Sequence, residues 1–142
     1  MRDELVSLLI REGEGLTVEF KERYSSRIDQ DIVAFANARG GNVLLGVSDD
    51  GEIVGETLTN DLKAKLNDLA RNCKPGISVQ ASQSGKVVVV EVLEGTEKPY
   101  SCGDGYFRRL SGTTQKMSPA ELRLMFREND PVPFEERAAK EF

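Results

Sequence analysis

The sequence predicts an α/β (α+β) fold in which a mixed β-sheet packs against helices. Segments with helical periodicity alternate along the chain with segments of strand alternation, and hairpin signals join several of the strands. Of the 142 residues 39% are apolar and 30% charged, which is typical of a globular domain. We expect one domain over residues 1–130 and a charged tail, or a linker to a further domain, over residues 131–142.

The first elements are two helices and a strand. Leucines at helical spacing predict an amphipathic helix over Arg2–Arg11. Thr17–Lys21 alternates between apolar and polar residues, as a half-buried strand does. A second apolar stripe predicts a helix over Ile28–Arg39, which Gly40 can end in the left-handed conformation.

A buried strand is predicted over Asn42–Val47. Gly46 inside it indicates the close approach of another backbone or a ligand. Asp50-Gly51 is a two-residue hairpin signal, so we expect Glu52–Val54 to return as a short strand.

The second half begins with a helix over Asn60–Asn72, whose leucines recur at i, i+4 and i+7. Ser84-Gly85 then turns the chain between an alternating strand and the β-branched strand Lys86–Leu93. Tyr100–Cys102 and Tyr106–Leu110 form a further predicted hairpin.

The last helix has a clear beginning. Ser118 can cap it, Pro119 suits its first turn, and Glu121 stands at the capping-box position. We expect it to end near Glu128.

Composition excludes several classes of function. Histidine is absent, which excludes histidine-based triads, zinc fingers and zinc hydrolases. No Walker A string is present, so P-loop ATP hydrolysis is not expected, while nucleotide binding without hydrolysis stays open. Cys73 and Cys102 are too few for a disulfide framework, which favours a cytoplasmic location. The longest apolar run, Val87–Val90, is far too short for a membrane span, and we expect no membrane partner.

Carboxylates near strand ends form one candidate site. If the strand of Glu19 lies beside the strand over residues 42–47, then Glu14, Glu19 and Asp49 can converge near Lys21. Such a trio suits Mg²⁺ or Mn²⁺ in phosphodiester cleavage, since hard cations prefer oxygen ligands. The metal ligands would be Glu14, Glu19 and Asp49, with Lys21 as a fourth catalytic residue. Alternatively, Glu19 faces solvent and Asp49 belongs to a turn.

A basic segment forms the second candidate site. The net charge is −5, which excludes a histone-like coat, but residues 96–127 carry six positive and three negative side chains. Strand alternation places the side chains of Arg108 and Arg109 on opposite faces of the strand. At most one of the two therefore faces a ligand. Alternatively, Phe107 and Leu110 are core residues and both arginines pair with carboxylates. The candidate nucleic-acid-binding residues are Lys98, Tyr106, Arg108, Arg109, Ser111, Thr113, Thr114 and Lys116.

Several segments together resemble the Schlafen AlbA-2 domain, a DNA-binding module of prokaryotic transcriptional regulators that also occurs in vertebrate Schlafen proteins. They are Thr17–Lys21, Ile32–Gly41, Asn42–Gly51, Lys98–Tyr100 and Tyr106–Thr114, within a match from about Glu14 to Phe126. The resemblance implies a single Alba-like domain that contacts DNA or RNA. It also implies that a lone copy dimerises, because the vertebrate proteins contain two copies in tandem.

Schlafen ribonucleases cut structured RNA with an acidic trio, a lysine and a divalent metal. By motif, Glu14, Glu19, Lys21 and Asp49 match these residues, although Asp50 could replace Asp49. We therefore expect a nucleic-acid-binding module that needs no cofactor for binding, with two alternatives. One is a metal-dependent endoribonuclease using Mg²⁺ or Mn²⁺. The other is a dimerisation or protein-interaction domain that pairs through a sheet edge.

Overall fold

A computed structural model describes residues 2–130, so the predicted tail, residues 131–142, lies outside the described residues. The described chain is a mixed α/β structure, as the sequence predicts. Its helices are α1 (Arg2–Glu12), α2 (Ile28–Asn37), α3 (Asn60–Arg71) and α4 (Pro119–Glu128). Its strands are β1 (Val18–Lys21), β2 (Gly41–Leu45), β3 (Val79–Ser84), β4 (Val87–Val92), β5 (Ser101–Cys102), β6 (Gly105–Leu110) and β7 (Thr113–Lys116).

The first four strands form a mixed sheet in the order β1-β2-β4-β3. β1 and β2 are parallel, with Glu19 opposite Val43 and Lys21 opposite Leu45. The remaining two pairs, β2 with β4 and β4 with β3, are antiparallel. The expected adjacency of the Glu19 strand and the strand over residues 42–47 is therefore confirmed.

Both faces of this sheet are covered, because its central strands carry apolar side chains on each side. On one face Ile32 and Phe35 of α2 and Leu66 of α3 pack on the alternate residues of β2 and β4. On the other face Val6 of α1 packs against Phe20 and the complementary set of β2 and β4 residues. The result is three layers, with the sheet between α1 and the α2–α3 pair.

The other three strands form a second, antiparallel sheet in the order β5-β6-β7. Asn37, buried at the end of α2, attaches this sheet to the helix. Its amide nitrogen donates to the carbonyls of Tyr100 (3.0 Å) and Phe107 (2.9 Å), and its side-chain oxygen accepts from the Tyr100 amide (2.6 Å). One side chain thus satisfies three buried main-chain groups next to β5 and on β6.

The last helix, α4, begins as the sequence predicts, with a reciprocal capping box between Ser118 and Glu121. It contacts the second sheet from the side opposite α2. Phe126 meets Tyr106 edge to face, with ring centroids 6.1 Å apart, and Glu121 forms an ion pair with Arg108. The strand β6 therefore has α2 on one face and α4 on the other.

Two predictions about local structure need correction. Glu52–Val54 forms no strand with β2; a single bridge joins Val47 and Ile53. The hydroxyl-rich segment after β6, for which no strand was predicted, is a tight turn at Ser111-Gly112 followed by strand β7.

The close approach predicted at Gly46 is confirmed. This residue has φ +98°, and a Cβ added to it would meet the backbone of Gly55 and Glu56 at 2.8 Å. Because both the dihedral angle and the space demand glycine, the segment after β2 can lie directly against the strand end.

A candidate acidic site clamped by a buried arginine

An acidic cavity of about 340 Å³ lies where β1, the start of α2 and the β6–β7 turn meet. It contains three of the four residues that the sequence assigns to catalysis, Glu14, Glu19 and Lys21, and adds Asp31 from α2. The complete lining is Glu14, Glu19, Lys21, Arg27, Gln30, Asp31, Gly112, Thr113 and Thr114.

Arg109 of β6 forms the base of this site. Its side chain is fully buried, and its guanidinium donates to Glu19 Oε1 at 2.7 Å and to the Val18 carbonyl at 3.1 Å. It also donates to the Gly15 carbonyl, and it stacks 4.6 Å from the ring centroid of Phe35. A guanidinium with so many fixed acceptors has little freedom, so it holds β6 against β1.

Asp31 is tied to the same network through Thr114. The Thr114 hydroxyl accepts a hydrogen bond from Arg109 (2.9 Å) and donates one to Asp31 Oδ1 (2.7 Å). Lys21 Nζ lies between the second carboxylate oxygens of these residues, 3.6 Å from Glu19 Oε2 and 3.7 Å from Asp31 Oδ2. Glu19 and Asp31 therefore each have one oxygen fixed by the arginine network and one facing Lys21.

Glu14 enters the cavity from the segment before β1, where its Oε1 accepts a hydrogen bond from the Phe20 amide (3.1 Å). Burial raises the pKa of Glu19 above its ordinary value of 4.5, the bond from Arg109 opposes that rise, and the charges of Asp31 and Glu14 add to it. Glu19 is thus a carboxyl whose proton affinity depends on its neighbours.

Asp49 does not line this cavity. It is exposed at the tip of the turn after β2, and Asp50 is exposed beside it. The neighbouring Gly51 lies against Ile10 and Phe20, on the α1 face of the sheet. Glu19 and Lys21 point to the α2 face, so the turn carries Asp49 away from them. The turn interpretation of Asp49 agrees with this placement, and Asp31 is the third carboxylate of the site.

The residues predicted to bind phosphates are divided by strand alternation, as expected. Phe107 and Arg109 face α2 and are buried, while Tyr106 and Arg108 are half-buried on the α4 face. The expectation that Arg109 contacts a phosphate needs correction, because this side chain has no exposed surface. The alternative, in which Phe107 is core and both arginines pair with carboxylates, agrees with the structure, except that Leu110 is exposed.

The other predicted binding residues are scattered. Thr114 lines the cavity and is engaged with Arg109 and Asp31. Thr113 is exposed at the rim, and Ser111 is exposed in the adjoining turn at φ 50°. Lys116 is exposed at the far end of β7. Lys98 pairs with Glu94 at 2.7 Å and lines a separate cavity near the end of α4.

Sequence reasoning missed Asp31 and Gln30, which the first turn of α2 contributes, and Arg27, which stands at the N-cap of that helix. For Asp31 the signal was present. It lies three residues after Ile28 and four before Phe35, within the apolar stripe of the helix, and a charged residue in such a stripe must find a partner when it is buried. Asp31 pairs directly with Lys21, and the Thr114 hydroxyl links it to Arg109.

Among residues 2–130 no group of three or more His, Cys, Asp or Glu side chains is arranged to hold a metal ion. The position that faces both Glu19 and Asp31 is taken by the Lys21 ammonium. In that same part of the chain, no helix combines the length and the hydropathy needed to cross a membrane.

A family model described as "Schlafen, AlbA_2" matches residues 14–118, most of the chain. The chain belongs to this family. The matched region contains the whole acidic cavity, so the site is part of the Schlafen AlbA_2 domain. Comparison with curated proteins finds no match.

Two solved structures share the fold of this Schlafen AlbA_2 domain. The DIP2311 protein from Corynebacterium diphtheriae is 18% identical with a TM-score of 0.60; 82% of this chain is covered but only 25% of that chain. The other is the N-terminal domain of the "Putative ATP-dependent DNA Helicase RecG-related Protein" from Nitrosomonas europaea. It is 23% identical with a TM-score of 0.51, and 82% of this chain and 92% of that one are covered. At these identities the similarity shows the fold alone.

The neighbouring arginines of β6 should differ sharply in their effect on stability. Arg109→Ala leaves Glu19 buried without its partner, and we expect a loss of about 3–5 kcal/mol in the free energy of unfolding. Arg108→Ala breaks a partly exposed pair and should cost less than about 1 kcal/mol. Urea denaturation followed by circular dichroism measures both. Equal losses would contradict the structural role of Arg109.

The raised pKa of Glu19 should be visible in solution. Carbon-detected NMR titration is expected to give Glu19 a midpoint above 4.5, and Asp31→Asn should lower that midpoint because it removes a like charge. Since the folded state holds this proton more tightly than the unfolded state, ionisation of Glu19 reduces stability as pH rises past 4.5. Glu19→Gln cannot ionise, so its stability should not show this fall with pH, and the difference between the variant and the wild type should shift towards the variant across that window. A midpoint at or below 4.5 would contradict this environment.

Proposed function

We propose that this Schlafen AlbA_2 domain is a nucleic-acid-binding module, DNA-binding and of the transcriptional-regulator type. The observation that carries the proposal is the rim of the acidic cavity, where Arg27, Lys21 and Thr113 come together beside the Ser111-Gly112 turn. Cationic and hydroxyl side chains with adjacent turn backbone are the groups that proteins use to contact phosphates.

The charge balance of the cavity supports an anionic ligand at this rim. Its three carboxylates are matched by Lys21 and Arg27 at the surface and by Arg109 beneath. A balanced cavity does not repel a phosphate as three isolated carboxylates would. Arg27 is exposed and forms no ion pair with the described residues, so its charge is available to a ligand.

The family and its neighbours provide the context. The Nitrosomonas europaea protein is named as related to a DNA helicase, and its N-terminal domain has this fold. We extend that association with DNA to this chain as part of the proposal. In this view Ser111, Thr113 and Lys116 remain phosphate-binding residues, Arg27 joins them, and Arg109 and Thr114 position the site from below.

Charge reversal at the rim tests this function. Fluorescence anisotropy with a labelled DNA duplex and a labelled structured RNA, over a series of salt concentrations, should show binding that weakens steeply with salt. Arg27→Glu should lower the affinity and reduce the slope of log affinity against log salt by about 1. DNA should bind more tightly than RNA, and a chelator should change neither affinity.

Lys86→Glu is the matched control. It makes the same change of charge at an exposed lysine of the β3–β4 turn, which does not line the acidic cavity. Similar affinities for the Arg27 and Lys86 variants would remove the proposed rim, and an absence of salt-dependent binding by the wild type would remove the function.

A metal-dependent endoribonuclease is the second candidate. The observation that favours it is the meeting of Glu14, Glu19 and Lys21 in one cavity, as the resemblance to Schlafen ribonucleases implies. The arrangement itself does not fit a bound cation, because the Lys21 ammonium faces the free oxygens of Glu19 and Asp31.

Cleavage assays decide this candidate. If the chain is a nuclease, structured RNA should be cut in Mn²⁺ or Mg²⁺ by the wild type but not by Glu19→Gln, which keeps the shape and hydrogen-bond acceptor of Glu19. Asp31→Asn should then abolish cleavage and Asp49→Asn should not, because only Asp31 lines the cavity. The reverse order would restore Asp49 as the third carboxylate. Absence of cleavage by the wild type would leave binding as the function.

The proposal includes a homodimer, because two copies of the domain together would form a longer groove for nucleic acid. The alternative of a domain that pairs through a sheet edge also stays a proposal. In the first sheet of the described chain the edge strands are β1 and β3. β1 carries Glu19 and Lys21, so pairing at this edge would bring a second copy next to the acidic cavity.

A further inference from the structure

The two cysteines of the chain lie on segments that run side by side. Lys74, just after α3, and Ser101 of β5 form an antiparallel bridge in which each amide donates to the other's carbonyl at 2.8 Å. In antiparallel pairing, the positions next to such a hydrogen-bonded pair face each other without hydrogen bonds, and their Cα atoms are only about 4.5 Å apart. Those positions are Cys73 and Cys102, which flank the bridge; the bridge itself is isolated, with no further main-chain pair on either side in the described chain.

This register suits a disulfide. Disulfide-bonded cysteines have Cα atoms roughly 4.4–6.8 Å apart, a range that includes the spacing of a non-hydrogen-bonded antiparallel pair. Cys73 is buried in the main apolar cluster and Cys102 packs against that cluster. Each thiol has a weak contact with a carbonyl, Cys73 with Leu69 at 3.5 Å and Cys102 with Gly105 at 3.7 Å, and Cys102 also interacts with the Asp29 carboxyl. Thiols are weak donors, so a change of rotamer gives up little.

The surroundings slow the reaction of both thiols. Burial raises the pKa of Cys73 to about 12, and burial also raises the pKa of Cys102. The nearby carboxylate of Asp29 adds to both shifts. Because the thiolate is the reactive form, both thiols react slowly at neutral pH. Cys102 is partly exposed, so it is the thiol that a small oxidant can reach.

We propose that Cys73 and Cys102 are an oxidation site, at which a peroxide converts the two thiols into a cross-strand disulfide. The Cys102 sulfur attacks a peroxide oxygen, the O–O bond breaks, and a sulfenic acid and one water are formed. The Cys73 sulfur then displaces the sulfenic hydroxyl, which leaves as a second water, and the S–S bond forms. Two thiols are oxidised and one hydrogen peroxide is reduced to two waters.

The disulfide links the end of α3 to the sheet that contains Arg109. It closes a loop from residue 73 to residue 102, which restricts the unfolded chain and should raise the melting temperature by roughly 10 °C. It joins the segment after α3 to β5 covalently, in addition to the hydrogen bonds between Lys74 and Ser101. Oxidation is thus expected to fix the second sheet in place.

Mild peroxide treatment of the full chain tests the site. The reduced protein is exposed to hydrogen peroxide, quenched and alkylated, and analysed by intact mass, peptide mapping and thermal denaturation. We expect a monomer that has lost two hydrogens, a peptide linking residues 73 and 102, and a melting temperature that returns to its original value after reduction with dithiothreitol.

Cys102→Ser and Cys73→Ala are the controls, and each should remove both the link and the rise in melting temperature. Cys102→Ser changes a partly exposed position, so it keeps the test valid if Cys73→Ala does not fold. The proposal is overturned if the native wild type gives only sulfinic or sulfonic acid, links between two chains, or a disulfide that forms only after denaturation. None of these outcomes bears on nucleic-acid binding at the Arg27 rim.

Discussion

The buried guanidinium of Arg109 is the interaction on which the rest of this domain depends. A charge removed from water is stable only when it has a partner and its donors have acceptors. Arg109 obtains its charged partner from Glu19, and its two terminal nitrogens donate to Glu19, Thr114 and the carbonyls of Gly15 and Val18, while its buried Nε has no acceptor among the described residues. These partners belong to β1, the segment before it, and β7. One side chain therefore joins the edge of the first sheet to the second sheet.

The acidic cavity is a consequence of that arrangement. Glu19 and Asp31 have one oxygen each fixed, directly or through Thr114, and their other oxygens are directed towards Lys21. The carboxylates are thus held in place by groups beneath them while the cavity stays open above. Such preorganisation is a requirement of ligand-binding and catalytic sites, and here it comes from the contacts that also hold the fold together.

Elements defined by local chemistry could be predicted from the sequence. The capping box of α4 involves only Ser118 and Glu121, and the alternation that separates Arg108 from Arg109 is a property of any strand. Which of the two arginines is buried could not be predicted, since that depends on whether α2 or α4 covers each face. Strand β7 was missed because its residues, Thr113–Lys116, are all polar and show no apolar alternation.

The part of the candidate site that lies close together in the sequence could also be predicted. Glu14, Glu19 and Lys21 are within eight residues of one another in the sequence, and a strand places the last two on one face. The third carboxylate depends on long-range packing. The turn after β2 passes over the α1 side of the sheet and takes Asp49 with it, while α2 brings Asp31 in from the other side.

The attachment of Asn37 has a mechanical consequence. In the described chain the two sheets share no ladder of main-chain pairs. The second sheet is held at separate points instead, which include the Asn37 amide on α2, the Arg109 guanidinium on β1 and the bridge between Lys74 and Ser101. Because the Asn37 amide satisfies three main-chain groups of this sheet at once, its loss would leave all three buried and unpaired while the other attachments remained.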